Sequence, residues 1–316
     1  MIGLDEIRAT RARIAPQLRQ TPLFAAARLA DPPTEAELLL KLECLQVSGS
    51  FKARGAAAKI GALPAEDLAR GLVTASGGNH GLAVSHAAVS AGVPVKVYLP
   101  ETTTPAKIAR LRALGATVEV VGAVFDEAAE AARAEVQATG ATFIHPFADP
   151  AVVAGQGTLA LEILDQLGGE PPDAVLIAIG GGGLVTGMGV ALKALAPATR
   201  VIGIEPVGCP TLQASLVAGH VVRLERIATR VATMSCARTD DALFRTARQV
   251  IDEVVLVEDD DLLAAARWLW AECGIAADLS GAAAVAALRT GAVAFAPGQR
   301  VVALVCGAGP DGIAPA

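Results

Sequence analysis

The chain has 316 residues, which is enough for one large domain or two ordinary domains with a sizeable core. Hydrophobic residues make up 53% of the sequence and aromatic residues only 3%. The formal net charge is −6, and Lys and Arg form no basic run. A nucleic-acid-binding surface needs clustered Lys and Arg, so this balance argues against a nucleic-acid partner.

A mean hydropathy of +0.49 raises the question of a membrane span. Two charge-free runs, residues 71–95 and 174–192, are long enough to cross a bilayer. The first carries Ser, Asn and His in its middle, and the second carries four consecutive glycines, each of which costs a helix roughly 1 kcal/mol relative to Ala. The N-terminal residues are also unlike a secretory signal. We therefore expect a cytoplasmic protein without a membrane partner.

Cysteine and histidine do not have the spacing of a metal site. The five cysteines are scattered, with no Cys-x-x-Cys pair. His80 and His86 are six residues apart, which puts them on neither an i,i+3 nor an i,i+4 helix face. We expect neither a disulfide framework nor a bound metal ion.

Short apolar runs alternate with amphipathic stretches along most of the chain, which predicts parallel sheets covered by helices. The predicted strands are ELLLKLE (37–43), GLVTA (71–75), VPVKVYLP (93–100), ATVEVVG (116–122), ATFIHP (141–146), AVLIAIG (174–180), RVIGIEP (200–206), EVVLVED (253–259) and RVVALVCG (300–307). The predicted helices are residues 79–92, 105–115, 125–140, 262–274 and 281–291. Residues 208–241 are the least regular part of the pattern.

Three loops of small residues follow predicted strands: SGGNHG (76–81), GGGGL (180–184) and VCGAG (305–309). The carboxyl ends of parallel strands gather at one edge of a sheet, where ligands bind. Backbone N–H groups at a helix start favour an anion, and four glycines let the backbone close around one. The second loop matches neither the dinucleotide nor the Walker pattern, which indicates a smaller phosphate ester.

The stretch VSGSFKARGA (47–56) places Lys52 at the start of a predicted helix. A lysine taken alone is more often a surface residue than a catalyst. The glycine loop at residues 180–184 favours a catalytic role for Lys52 instead. A lysine and a phosphate-binding loop together indicate a cofactor held by a Schiff base and by its phosphate.

These motifs resemble the fold-type II pyridoxal-phosphate enzymes, in particular the serine/threonine dehydratases (threonine ammonia-lyases) and the related serine racemase. The resemblance covers nearly the whole chain. It implies a two-domain α/β fold of the tryptophan synthase β type, in which each domain is a mostly parallel sheet flanked by helices. Residues 1–70 and 149–316 would form the large cofactor-binding domain and residues 71–148 the small substrate-loop domain. A homodimer is also implied. The motifs that carry the resemblance occur in the same order as in the family. They are SGSFKARGA, SGGNHG, TPAKIARLRALGA, FDEA, IHPFADPAVVAGQGTLALEIL, GGGGL and VIGIEP.

The resemblance also assigns roles. Lys52 would form the imine with pyridoxal 5′-phosphate, Phe51 would pack beside its ring, Asn79 would meet the ring's 3-oxygen, and Cys306 would stand at the ring nitrogen. The phosphate would be held by Gly180, Gly181, Gly182, Gly183 and Leu184. The loop that grips the substrate carboxylate would be Ser76, Gly77, Gly78, Asn79 and His80.

The implied reaction is α,β-elimination, which converts L-threonine and/or L-serine to a 2-oxo acid and ammonia. Lys52 would remove the Cα proton, and the cofactor phosphate would protonate the departing hydroxyl. A neutral thiol at Cys306 cannot hold a protonated ring nitrogen as a carboxylate would, which favours elimination over transamination.

The sequence departs from the family pattern at several places. Gly77 stands where serine racemase has a serine that serves the opposite face of Cα, which disfavours racemization. The loop that begins at Glu205 resembles a divalent-cation loop, but Thr211 replaces its later carboxylate, so we expect no metal there.

Two further segments depart from the family pattern, so the sequence does not identify the side chain of the substrate. VATMSC (231–236) stands where the family shows Ala-Asp-Gly, and ADLSGAAAV (277–285) where it shows Glu-Pro-x-Ala-Gly. Asp278 and Arg238 are candidate polar contacts, although each fits a structural or surface residue better. The alternatives are a dehydratase for 3-hydroxyaspartate, phenylserine or a similar amino acid, a racemase, a β-replacement enzyme, and a ligand-sensing protein on the same fold.

Overall fold

The computed structural model describes residues 2–123 and 125–313 and confirms an α/β fold with two mostly parallel sheets flanked by helices. The strands are β1 (Leu23–Ala25), β2 (Glu37–Lys41), β3 (Leu72–Ala75), β4 (Val95–Leu99), β5 (Thr117–Val120), β6 (Thr142–Phe143), β7 (Ala174–Ala178), β8 (Arg200–Pro206), β9 (Glu253–Val257) and β10 (Arg300–Leu304). The helices are α1 (Leu4–Ile14), α2 (Lys52–Ile60), α3 (Ala65–Ala69), α4 (Asn79–Ser90), α5 (Pro105–Ala113), α6 (Phe125–Thr139), α7 (Pro150–Gln166), α8 (Gly183–Leu195), α9 (Thr211–Ala218), α10 (Asp241–Val250), α11 (Asp259–Cys273) and α12 (Ala283–Arg289).

The larger sheet has the strand order β1-β2-β10-β7-β8-β9. Its strands pair in parallel except for β1, which runs antiparallel to β2 at the edge. Every residue of β7, AVLIA, is buried. A continuous apolar run of this kind is typical of a central parallel strand with helices on both faces.

The smaller sheet has the strand order β5-β4-β3-β6, with all pairs parallel. Its strands all lie within residues 71–148, the segment assigned to the small domain. The division of the chain into domains at these boundaries stays a prediction.

Helices α2, α7 and α8 are packed closely through glycines. A Cβ added at Gly155 of α7 would lie 2.6 Å from the carbonyl oxygen of Arg54 in α2, and one at Gly187 of α8 would lie 2.2 Å from the carbonyl oxygen of Val153 in α7. Only glycine allows such backbone approach. The packing fixes the Lys52-bearing helix relative to the helix that follows the four glycines.

The structure contains helices that the sequence analysis did not predict, namely α1, α3, α7, α9 and α10. Helix α9 lies inside the segment described as least regular. The strand predicted over residues 141–146 is shorter than expected and spans only Thr142–Phe143. Within residues 2–123 and 125–313, no helix combines the length and the apolar character that a membrane crossing requires.

Candidate active site

Lys52 is the first residue of α2 and is partly buried. Its Nζ donates a hydrogen bond to the carbonyl oxygen of Pro146 at 2.8 Å and lies 5.1 Å from the ring centroid of Phe51. Burial lowers the pKa of Lys52 to about 8, which places it nearer neutrality than an exposed lysine. Because an uncharged amine is both a nucleophile and a base, this environment suits imine formation and proton abstraction.

The four glycines lead from β7 into α8, whose first residue is Gly183, and the main chain presents unpaired donors there. Gly182 has a φ of +94°, a left-handed conformation that favours glycine. In the described part of the chain, no carbonyl or side-chain oxygen accepts from the backbone N–H groups of Gly181, Gly182, Gly183 and Leu184. The first turn of α8 also lacks an acidic residue. Free N–H groups at the positive end of a helix dipole form a suitable phosphate site.

The segment after β6 connects Lys52 to this glycine loop. Nδ1 of His145 accepts from the N–H groups of Phe147 at 3.2 Å and Ala148 at 2.9 Å, which fixes a tight turn. Pro146 in that turn binds Lys52, and the Phe147 ring packs against Gly181. The sequence analysis gave these residues no role, because a His-Pro-Phe sequence carries no recognisable chemistry outside its fold.

The predicted carboxylate loop leads into α4, and its main-chain donors are free. Ser76 Oγ accepts from Gly78 N at 3.3 Å. The N–H groups of Asn79, His80 and Gly81 have no partner among the residues that the structure describes. Free N–H groups at the start of a helix suit an anion, which is consistent with the carboxylate loop predicted from the sequence.

The side chain of His80 is not available to bind the substrate. It is buried, and its Nε2 lies 3.0 Å from the carbonyl oxygen of Ile144. Burial, with a smaller contribution from the charge of Lys52, lowers the pKa of His80 to about 3. The imidazole is therefore neutral, and the backbone N–H is the group that His80 can offer to a carboxylate.

Cys306 is buried two residues after the end of β10, beside the Lys52 segment. Its carbonyl oxygen accepts from Phe51 N at 3.1 Å, and its Sγ lies 3.8 Å from Ser280 Oγ. Burial, followed by the nearby Asp278, raises the pKa of the Cys306 thiol well above its usual value. The thiol is therefore neutral, as the elimination chemistry proposed from the sequence requires.

The two segments that depart from the family pattern lie in different environments. Residues 231–236 pass over the glycine loop, since a Cβ at Gly180 would lie 3.0 Å from the carbonyl oxygen of Thr233. Arg238 is exposed and pairs with Asp241, so it is a surface residue. Asp278 is partly buried and contacts Asn79.

The loop after β8 is closed by hydrogen bonds. Glu205 accepts from Leu212 N at 2.8 Å and Gln213 N at 2.9 Å and so caps α9, while Thr211 Oγ1 donates to the carbonyl oxygen of Cys236. Burial raises the pKa of Glu205 to about 7. Over the described ranges, no group of three or more His, Cys, Asp or Glu side chains is arranged to hold a metal ion.

The residues present fit pyridoxal phosphate. The glycine loop supplies phosphate donors, the start of α4 supplies carboxylate donors, and Lys52 supplies an amine of lowered pKa. Two hydroxyl groups beside Lys52, those of Ser48 and Ser50, are buried and have no hydrogen-bond partner within the described residues. Unpaired buried hydroxyls are costly, which is consistent with a ligand that completes their hydrogen bonding.

We expect Gly181→Ala to weaken cofactor binding. The added Cβ would lie 2.3 Å from Cδ1 of Phe147. Overpacking costs about 1–3 kcal/mol, and a loss of this size in binding free energy corresponds to roughly 5- to 150-fold in the dissociation constant. Equilibrium dialysis of the bound cofactor measures this change. Gly3→Ala is the matched control, because nothing lies within 4 Å of its Cβ position. Equal affinity in both variants would contradict the assignment of this loop.

Comparison with known proteins agrees with this geometry. Residues 14–307 match the family model described as pyridoxal-phosphate dependent enzyme. The chain is 38% identical to an L-threonine ammonia-lyase of Thermotoga maritima, over 91% of this chain and 71% of that protein. It is 37% identical to a phenylserine dehydratase of Ralstonia pickettii, over 98% of this chain and 93% of that protein. The crystal structure of a T.th. threonine deaminase superposes with a TM-score of 0.91 at 39% identity, covering 97% of this chain and 98% of that one. The chain therefore belongs to the family of pyridoxal-phosphate dependent enzymes.

Proposed function

We propose that this protein is an ammonia-lyase that converts a β-hydroxy L-amino acid, L-threonine and/or L-serine, to a 2-oxo acid and ammonia by α,β-elimination. The observation that carries the proposal is the Lys52 amine, whose pKa is about 8, joined through the His145–Ala148 turn to a free phosphate-type site at α8. Relatives named threonine ammonia-lyase and threonine deaminase support the reaction class.

Different groups of the chain serve cofactor binding, substrate binding and proton removal. The N–H groups of residues 181–184 would hold the cofactor phosphate, and those of residues 79–81 would bind and orient the substrate carboxylate. Lys52 takes the proton from Cα. The bound cofactor supplies an electron-withdrawing ring that stabilises negative charge at Cα. Cys306 would stand at the ring nitrogen as a neutral thiol, which would limit that withdrawal and favour prompt loss of the β-hydroxyl.

A larger β-hydroxy amino acid is the second candidate. Its support is the segment 231–236, which differs from the family pattern and passes directly over the glycine loop, together with the phenylserine dehydratase relative. Racemization is disfavoured because Gly77 has no side chain that could exchange a proton on the opposite face of Cα. A Cβ at this position would also lie 3.3 Å from both Leu99 Cδ2 and Thr103 Cγ2. The homodimer stays a prediction from the family resemblance, and the cytoplasmic location stays a prediction from the N-terminal sequence.

Ammonia release from a panel of amino acids tests the proposal. The panel holds both enantiomers of serine, threonine, 3-hydroxyaspartate and phenylserine, with added pyridoxal phosphate. We expect release from one or more L-enantiomers, and the ranking identifies the side chain that the altered segments accept. Chiral chromatography of the same reactions detects racemization. No ammonia from any member, with the cofactor visibly bound, would contradict the proposal.

A further inference from the structure

We infer that Asp278 is a positioning residue that fixes the amide of Asn79 so that an N–H group of Asn79 is directed at the cofactor's ring oxygen. The inference rests on the proposed function only in the role given to Asn79. It concerns a residue at which the sequence departs from the resembled family pattern Glu-Pro-x-Ala-Gly, in which a proline stands at this place and has no carboxylate to offer.

The contact joins two distant parts of the chain. Asp278 Oδ2 accepts from Nδ2 of Asn79 at 2.8 Å, across 199 residues of sequence. Asp278 Oδ1 accepts from Ser280 Oγ at 2.7 Å and from Gly281 N at 2.6 Å, which fixes the carboxylate within its own loop. The backbone N–H of Asp278 donates to Gly307 O at 3.0 Å. The carboxylate is therefore held by its own loop while it reaches the first residue of α4.

The chemistry of the pair determines which atom of Asn79 remains available. An amide can present either its oxygen or its NH₂ group, whereas an ionised carboxylate only accepts. Asp278 therefore fixes Nδ2 of Asn79 on its own side and leaves the second N–H of the same nitrogen free. An oxygen anion on a cofactor ring needs a donor of this kind, and a flipped amide would place its own oxygen there instead.

The pair lies within the wall of the site. A Cβ added at Gly307 would lie 2.6 Å from Asp278 Oδ2 and 2.8 Å from Asn79 Nδ2, so both side chains pack directly on the main chain that follows Cys306. Burial raises the pKa of Asp278, and the hydrogen bonds from Ser280, Asn79 and Gly281 oppose that rise. This partly buried, donor-rich setting is that of a structured contact rather than a solvated side chain.

Asp278→Asn tests the inference, because it keeps the shape and removes the acceptor-only character. The holoenzyme is dialysed to a series of pyridoxal phosphate concentrations, and the dissociation constant and absorbance maximum of the bound cofactor are measured. We expect a dissociation constant at least tenfold higher and a shifted maximum. We also expect a lower kcat with KM nearly unchanged, because the substrate carboxylate site at the start of α4 is intact.

The control is Asp311→Asn. The Asp311 carboxylate also contacts this loop, accepting from Leu279 N at 3.1 Å, but does not bond to Asn79. The Asp311→Asn variant should therefore keep the cofactor affinity and the absorbance maximum of the wild type. Unchanged affinity and absorbance in Asp278→Asn, or equal changes in both variants, would overturn the inference and leave Asp278 with a purely structural role.

If Asp278→Asn does not fold, Asp278→Ser replaces it. Serine still forms the turn that places an oxygen near Gly281 N, but it is too short to reach Asn79. The dissociation constant and the absorbance maximum of the bound cofactor are then measured and interpreted in the same way. Cofactor affinity and absorbance do not depend on the substrate. A failure of the amino-acid panel therefore contradicts the proposed reaction alone, and an unchanged dissociation constant contradicts the role of Asp278 alone.

Discussion

Lys52→Ala is expected to lower kcat by roughly 10⁴-fold or more, because it removes both the amine that anchors the cofactor and the base that takes the Cα proton. The variant should fold normally, since Lys52 makes one hydrogen bond to a carbonyl oxygen and no ion pair with a described carboxylate. Steady-state ammonia release on the best panel substrate measures the loss.

Lys59→Ala is the matched control on the same helix. Lys59 pairs with Asp149 at 2.6 Å and lies at the far end of α2. Partly exposed ion pairs of this kind contribute about 0–1 kcal/mol to folding and nothing directly to the reaction. Full activity in Lys52→Ala, or an equal loss in both variants, would refute the assigned role of Lys52.

A buried ion network lies behind the Lys52 helix. Arg54 donates to Glu43 through Nε at 2.8 Å and through a terminal nitrogen at 2.7 Å, and to Glu162 of α7 at 2.9 Å. Lys41 Nζ donates to the same Glu162 at 2.6 Å. Burial alone would raise the pKa of Glu162, yet Arg54 and Lys41 together hold it below its usual range. The network's contribution to stability is therefore present above the usual carboxyl pKa and is lost as the pH falls.

Arg54→Leu is expected to lower the free energy of unfolding by about 3–5 kcal/mol, because it leaves buried carboxylates without their cation. Urea denaturation at neutral pH measures the change. Since Arg54 is two residues after Lys52, we also expect weaker cofactor binding in any protein that remains folded.

The control for this prediction is Arg300→Leu. Arg300 pairs with Glu37 at 3.0 Å and Glu170 at 3.2 Å on the protein surface. Exposed ion pairs are screened by water and contribute little to folding, so the urea midpoint should move little. Equal destabilisation by the two substitutions would show that burial of the network is not what makes Arg54 important.

The local sequence pattern was sufficient to predict much of the fold. The alternation of apolar runs with helical stretches correctly predicted β2 to β5 and β7 to β10, because parallel strands covered on both faces must be apolar throughout. It missed β1, a three-residue edge strand of low burial. It also missed α7, in which Gly155 lowers helix propensity and is required instead for contact with α2.

The candidate site was only partly accessible from the sequence. Lys52 and the four glycines were found because each combines a rare residue pattern with a definite chemistry. The partners that give them their properties come from distant sequence: Arg54 bonds to Glu162, 108 residues away, and Asn79 bonds to Asp278, 199 residues away. No local pattern encodes such pairs. The sequence makes Asp278 only a candidate polar contact that fits a structural or surface residue better, because nothing near it in the sequence identifies Asn79 as its partner.

The most direct test of the central claim is reduction of the holoenzyme with borohydride, followed by peptide mass mapping. Reduction converts an imine between a lysine and the cofactor into a stable secondary amine. We predict that the cofactor's mass is found on the peptide that contains Lys52, and that Lys52→Ala carries none. The cofactor's mass on another lysine, or bound cofactor with no covalent attachment in the wild type, would contradict the account.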